Sequence, residues 1–149
     1  MYLDSAIIVK LVVREPDSLF YAGQVDMSDG VCSSALAMTE VWSALCRKTK
    51  EGSIDTKAKQ HAWRLFEDYV SGGALHLHSV TTPILRMANR MIELCGGKVA
   101  VRSLDAIHLA TCEFYGTMPL MTNDKIMRSA AEVLGLALGP VMPGGKKQK

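Results

Sequence analysis

The chain has 149 residues, of which 48% are hydrophobic and 21% are charged, and its formal net charge is +2. These values are ordinary for one globular domain that is long enough to bury a core, and the charge is too small to indicate nucleic-acid binding by itself. The four cysteines form no CxxC pair and have no zinc-like spacing, so we expect buried free thiols in a reducing cytoplasm rather than disulfides.

The first half of the chain alternates short strands with helices. In order, the pattern predicts a strand over 1–3, a helix that begins at Asp4-Ser5 and carries apolar residues to Val12, and a helix over 17–25. A strand over 31–34 follows, then helices over 35–50 and 55–70. The apolar run over 6–13 is too short to cross a bilayer and lacks the basic start of a signal peptide. We therefore expect a cytoplasmic protein without a membrane partner.

The second half continues this alternation. We predict a strand over 75–80, a helix over 82–95 opened by Thr82-Pro83, and a nearly all-apolar helix over 103–115 capped by Ser103. A strand over 118–122, a helix from Asp124 and a candidate edge strand over 136–142 complete the pattern. It predicts one three-layer α/β/α domain over 1–142, with a mostly parallel central sheet, and a disordered basic tail over 143–149.

Four acidic residues lie where this pattern places strand ends or the apolar faces of helices. Asp4 and Asp124 follow predicted strands, and each has a simple alternative role as a helix cap. Asp105 lies in the first turn of a helix, where the helix dipole favours a negative charge. None of the three positions taken singly indicates a function.

Glu40 is harder to explain locally. Its neighbours at helical spacing are apolar, and a carboxylate on an apolar stripe is rare without a partner. Asp105 is surrounded in the same way on a helix with almost no polar face. One bound cation would explain both acids.

The predicted topology allows the four acids to meet. Ligands of open parallel sheets bind beyond the carboxyl ends of the strands, where residues distant in sequence converge. Carboxylate oxygens suit Mg²⁺ or Mn²⁺. The sequence therefore indicates a divalent-metal site and hydrolytic chemistry on phosphates.

Four segments also match a pattern found in known proteins. They are Leu3-Asp4-Ser5, SALAMTEVWSAL over 34–45, SLDAIHLA over 103–110 and PLMTND over 119–124. Together and in this order they resemble the PIN-domain ribonucleases, most closely the toxin subunits of VapBC-type toxin–antitoxin pairs. The resemblance covers essentially the whole chain apart from the tail. One departure is Leu104, which stands where many relatives carry proline and puts the rigidity of that loop in doubt.

The resemblance implies a metal-dependent endoribonuclease that cleaves RNA, in several cases tRNA or ribosomal RNA. It also implies a homodimer and a cognate antitoxin protein that covers the site. The acids carried over to this chain are Asp4, Glu40, Asp105 and Asp124. The polar positions beside them, expected to bond to the acids or to contact phosphate, are Ser5, Thr122 and Asn123.

We hypothesise that Asp4 and Asp105 are the principal ligands of one Mg²⁺ or Mn²⁺. Glu40 and Asp124 would then complete its shell directly or through water, and the metal would activate a water for attack on a phosphodiester. Three basic residues that flank the acids in the sequence are candidates for RNA binding, although each could equally be a solvated surface charge. They are Arg102, Lys125 and Arg128.

Other functions are left open by the residues. The main alternative is a catalytically silent PIN module that binds RNA or serves in assembly, although all four acids are retained. A phosphotransferase of the haloacid-dehalogenase type would need a second aspartate two positions after Asp4, where this chain has Ala6. A receiver-like signalling domain would need an acidic pair and a later lysine in an arrangement that this chain does not have.

Overall fold

The computed structural model describes residues 1–142, and residues 143–149, where we predict a disordered basic tail, lie outside the described residues. The sheet contains β1 (Tyr2–Leu3), β2 (Val31–Ser34), β3 (Leu75–His78) and β4 (Leu120–Met121). All of its pairings are parallel, and the strand order is β3-β2-β1-β4.

Seven helices connect these strands within residues 1–142. They are α1 (Ser5–Val12), α2 (Ser18–Asp26), α3 (Ala37–Lys50), α4 (Thr56–Ser71), α5 (Thr82–Cys95), α6 (Ser103–Phe114) and α7 (Lys125–Leu134). None of these helices is both long enough and apolar enough to span a bilayer.

The central strand β1 separates two hydrophobic cores. Successive side chains of a strand point to opposite faces of a sheet. Tyr2 accordingly packs with residues of α5, α6 and α7, whereas Leu3 packs with residues of α1, α3 and α4. The sheet therefore lies between two helical layers, which confirms the predicted three-layer α/β/α class.

The direction of the chain across the sheet reverses beside β1. The chain builds β1, β2 and β3 outward on one side, and β4 then pairs with the other side of β1. Such a reversal leaves a crevice at the carboxyl ends of the two strands, because their connections diverge to opposite faces. Asp4 follows β1 and Asp124 lies three residues after the end of β4, so both lie at this crevice.

The predicted last strand over 136–142 is wrong. Only one bridge forms there, between Leu120 and Leu138, flanked by hydrogen bonds from the Leu120 N–H to the Ala137 carbonyl and from the Gly139 N–H to the Leu120 carbonyl. The next step of a parallel ladder would use the carbonyls of Thr122 and Gly139, but both accept hydrogen bonds from the Arg128 side chain instead, so the ladder ends.

Two helix starts also differ in detail from the prediction. Ser103 is the first residue of α6 rather than its cap; the cap position is Arg102, whose side chain makes no capping hydrogen bond. The helix predicted over 35–50 begins at Ala37, because β2 ends at Ser34 and a turn precedes the helix.

Candidate active site

One depression of about 140 Å³ lies at the crevice between β1 and β4. The side chains of all four predicted acids line it. The lining residues are Asp4, Ser5, Ala6, Glu40, Asp105, His108, Asp124 and Met127. The structure thus brings together four carboxylates that are up to 120 positions apart in the sequence.

Two of the four acids are also helix caps. Oδ1 of Asp4 accepts a hydrogen bond of 2.8 Å from the Ile7 N–H, and Oδ1 of Asp124 accepts one of 2.9 Å from the Met127 N–H. The capping role that the sequence left open is therefore real for both residues. Capping fixes the orientation of each carboxylate at the depression. The capping bond uses Oδ1 in both residues and does not involve Oδ2.

Asp4 and Asp105 are costly to ionise in this position. Burial raises the pKa of Asp4, and the charge of Asp124 adds to this effect, although the Thr122 hydroxyl, the Ile7 N–H and His108 oppose it. Burial likewise raises the pKa of Asp105, with further contributions from Asp124, and His108 and Arg102 act in the opposite direction. The contacts of these two carboxylates therefore do not offset the cost of burying their charges.

Glu40 has a protein partner that the sequence analysis missed. Its Oε2 lies 2.6 Å from Nε2 of His108 and accepts a hydrogen bond of 2.5 Å from the Ser5 hydroxyl. Burial opposes ionisation of Glu40, but these contacts prevail and lower its pKa. A buried histidine and a serine therefore supply the partner that the apolar stripe indicated, at least for one oxygen of Glu40, and its place in a metal shell stays a prediction.

His108 in turn is held by the core. Its side chain is only 2% exposed, and its Nδ1 lies 2.8 Å from the hydroxyl of Tyr2 on β1. Because an ionised Glu40 can only accept hydrogen bonds, Nε2 of His108 must carry the hydrogen between them. Burial raises the pKa of Tyr2, so its phenol stays protonated and can donate to Nδ1. The chain Tyr2–His108–Glu40–Ser5 fixes the Glu40 carboxylate at the depression.

A sequence signal for His108 did exist. The residue follows Asp105 by three positions, which places the two side chains on the same face of α6. It also lies within the segment over 103–110 that carries the family resemblance. A histidine among apolar residues has many structural explanations, so this spacing alone does not predict its contact with Glu40.

No lysine or arginine of residues 1–142 lies within 4.0 Å of the carboxylates of Asp4, Asp105 or Asp124. Hard oxygen donors without a basic partner suit Mg²⁺ or Mn²⁺. As the side chains stand, however, no three His, Cys, Asp or Glu residues in this part of the chain are close enough to hold an ion together. Magnesium commonly binds one or two carboxylates and keeps several waters, so the donor set fits a largely hydrated ion rather than a shell of four direct ligands.

The three polar residues predicted beside the acids, Ser5, Thr122 and Asn123, differ in their contacts and exposure. The Ser5 hydroxyl bonds to Glu40, as described above. The Thr122 side chain is fully buried, and its Oγ1 accepts a 3.0 Å hydrogen bond from the Asp124 N–H, so it supports the turn that carries this acid. Asn123 is exposed beside the depression.

The three predicted RNA-binding cations also differ from one another. Arg102 and Lys125 are exposed, at the starts of α6 and α7 respectively. Arg128 is partly buried, and its Nη1 donates hydrogen bonds of 3.0 Å and 3.1 Å to the carbonyls of Thr122 and Gly139. Arg128 therefore ties the C-terminal segment to the end of β4, which leaves Arg102 and Lys125 as the freer candidates.

A family model described as PIN domain matches residues 1–133 of this chain. The chain belongs to the PIN domain family. The match includes every residue of the four-acid depression, from Asp4 to Met127.

Curated relatives of this PIN domain include three ribonucleases from Mycobacterium tuberculosis. The chain is 39% identical to Ribonuclease VapC46 of strain H37Rv over 142 residues, which cover 93% of this chain and 95% of that protein. It is 27% identical over 146 residues both to Ribonuclease VapC45 of strain CDC 1551 and to Ribonuclease VapC49 of strain H37Rv. In these two cases the match covers 94% of each chain.

The pKa of Glu40 in this PIN domain depends on His108. We predict that His108→Ala raises it, because burial remains while the hydrogen bond from the imidazole is lost. Carboxyl carbon NMR of Glu40 during a pH titration measures the change. His61→Ala, which removes an exposed histidine of α4, should leave the titration of Glu40 unchanged. Identical Glu40 titrations in His108→Ala and the parent would contradict the network.

Burial of Asp4 predicts how stability varies with pH. Because the folded state raises the pKa of Asp4, the unfolded chain ionises first as the pH rises above about 4, and the free energy of unfolding falls until the raised folded-state pKa is passed. Asp4→Asn removes this contribution and keeps an oxygen for the Ile7 N–H. Its stability should therefore decline less as the pH rises above about 4 in the presence of a chelator.

Asp4→Ala is the matched variant, since it removes the charge and the cap together. It should be less stable than Asp4→Asn by about 1 kcal/mol at all pH values. Urea unfolding of the three proteins measures both effects. Parallel pH profiles of the parent and Asp4→Asn would show that the Asp4 carboxylate ionises without cost.

Proposed function

We propose that this PIN domain is a metal-dependent endoribonuclease and the toxin of a toxin–antitoxin pair. The observation that carries the proposal is the convergence of four carboxylates on one depression without a lysine or arginine beside Asp4, Asp105 or Asp124. The names of its relatives, all ribonucleases of the VapC series, give the substrate class.

Asp4 and Asp105 are the residues that we assign to hold Mg²⁺ or Mn²⁺. Both have raised pKa values owing to burial, so a nearby cation would stabilise their ionised forms most. When bound, the ion would neutralise charge on a phosphodiester and lower the pKa of a water. Asp124, oriented by its capping bond, would bind a water of the ion's hydration shell.

Glu40 is assigned a different role. Its Oε2 is occupied by Ser5 and His108, which hold the carboxylate ionised and fixed. Its Oε1 is the oxygen left to accept a hydrogen bond from a water that attacks the phosphate. A base held in position by a second hydrogen-bonded residue is a common arrangement in hydrolases.

The partners follow from the same proposal. An RNA substrate, which could be tRNA or ribosomal RNA, would approach the depression past Arg102 and Lys125. A VapC-type toxin requires a cognate antitoxin, and we also propose a homodimer. A nuclease that acts on cellular RNA works in the cytoplasm.

Cleavage of RNA by the purified protein tests the proposal. We expect cleavage of total RNA with Mn²⁺ or Mg²⁺ and none with a chelator. Asp4→Asn and Asp105→Asn should each lower the rate at least about 100-fold, because each removes a carboxylate that we assign to hold the ion. Asp68→Asn changes an exposed aspartate of α4 and is the matched control.

The alternative of a silent RNA-binding module predicts a different result. The parent would bind RNA without cleaving it, and Asp4→Asn would bind as well or better because a repulsive charge is removed. Cleavage at equal rates in Asp4→Asn and Asp68→Asn would instead indicate a contaminating nuclease and contradict the assigned site.

A further inference from the structure

A second depression adjoins the four-acid site and has no assigned role. Its volume is about 370 Å³, which is within the range of small-ligand sites. Ser5, Ala6 and Glu40 line both depressions, so the two form one continuous groove between α1 and α3. We call the second depression the α1–α3 groove.

One wall of the α1–α3 groove is polar. Thr39, Ser43 and Arg47 follow one another at intervals of four residues along α3 and therefore share a face of this helix. All three side chains are exposed. Two hydroxyls and a guanidinium in a row are suited to the oxygens of a phosphate and a ribose.

Arg47 is the cation of this wall that has no counter-ion. No carboxylate of residues 1–142 lies within 4.0 Å of its guanidinium. The next residue, Lys48, is instead paired with Glu15 at 2.6 Å. Arg47 lies seven residues after Glu40, about 10 Å along the helix axis, so its charge is offset from the acid depression.

The α1–α3 groove also has apolar lining residues. Val9 of α1 and Ala44 of α3 line it, and Leu104 stands at the first turn of α6 with 47% of its surface exposed. An exposed leucine beside a polar wall provides a contact for a flat, apolar surface such as the face of a base. The α1–α3 groove thus has side chains suited to each part of a nucleotide: the phosphate, the sugar and the base.

An RNA strand bound at the acid depression needs a positive charge nearby. The carboxylates of the acid depression repel phosphates, so a bound strand requires a positive charge near a phosphate that flanks the scissile one. Arg47 supplies that charge within a groove that opens directly onto Glu40. On this basis we propose that the α1–α3 groove binds one nucleotide of single-stranded RNA next to the scissile phosphate, with its flanking phosphate on Arg47.

This proposal rests on the proposed ribonuclease function, but its test does not need cleavage. The probe is a fluorescein-labelled single-stranded RNA of about 8 randomised nucleotides, and fluorescence anisotropy reports its affinity at several salt concentrations. All proteins carry Asp4→Asn and are measured with a chelator, so that the probe stays intact.

Arg47→Gln should weaken binding about tenfold at low salt, since a charge-assisted contact is lost. It should also lower the slope of log affinity against log salt by about 0.7, the value for one phosphate of a single strand. Arg47→Lys keeps the charge and should retain the slope. The matched control is Arg90→Gln, which removes an exposed arginine of α5 on the opposite face of the sheet and should change neither quantity.

In the parent protein with Mn²⁺, Arg47→Gln should raise KM and leave kcat largely unchanged, because the groove binds a part of the strand that does not react. If the parent fails to cleave RNA but Arg47→Gln still weakens binding of the probe, the proposed ribonuclease function is wrong. The proposed RNA binding by the α1–α3 groove is then still supported. Equal affinities and salt slopes for Arg47→Gln and Arg90→Gln would overturn the groove proposal. So would a failure of the Asp4→Asn protein to bind the probe at any salt concentration.

Discussion

Repulsion among carboxylates at one edge of the sheet is the constraint on which the site depends. Asp4 and Asp105 are buried or half-buried, and the charges of neighbouring acids raise their pKa values further. Glu40 avoids this cost because His108 and Ser5 bond to it. The depression therefore contains one carboxylate that the protein keeps ionised, Glu40, and two, Asp4 and Asp105, whose ionised form a bound cation would stabilise.

The same elements that build the fold hold these acids in place. The strand order reverses between β1 and β4, so the residues after these strands meet at one crevice. Asp4 and Asp124 each begin the following helix with a capping bond, which means that one oxygen stabilises the fold while the side chain faces the depression. Tyr2 links the core to the site through His108. The proposed function and the stability of the fold thus depend on the same side chains, and variants of these residues need matched controls.

Much of this arrangement could be predicted from the sequence. The alternation of short strands and helices predicted the α/β/α class. The positions of Asp4 and Asp124 after strands predicted that they lie close together, because the carboxyl ends of parallel strands lie at the same edge of a sheet. The partner of Glu40 could not be predicted, since its contact with His108 joins residues 68 positions apart and depends on how α3 and α6 pack. The structural role of Arg128 was missed for the same reason: the carbonyls it binds belong to an irregular segment without a sequence pattern. Pro140 is compatible with an edge strand, so it could not show that the predicted strand over 136–142 is wrong.

Binding of Mn²⁺ in the absence of RNA tests the central claim most directly. Titration calorimetry of the parent and of Asp68→Asn should give one saturable site whose affinity increases with pH, because protons compete with the metal for the buried carboxylates. Asp4→Asn and Asp105→Asn should lose that binding while remaining folded. A parent protein that binds no Mn²⁺, or an Asp4→Asn variant that binds it as tightly as Asp68→Asn, would contradict the account.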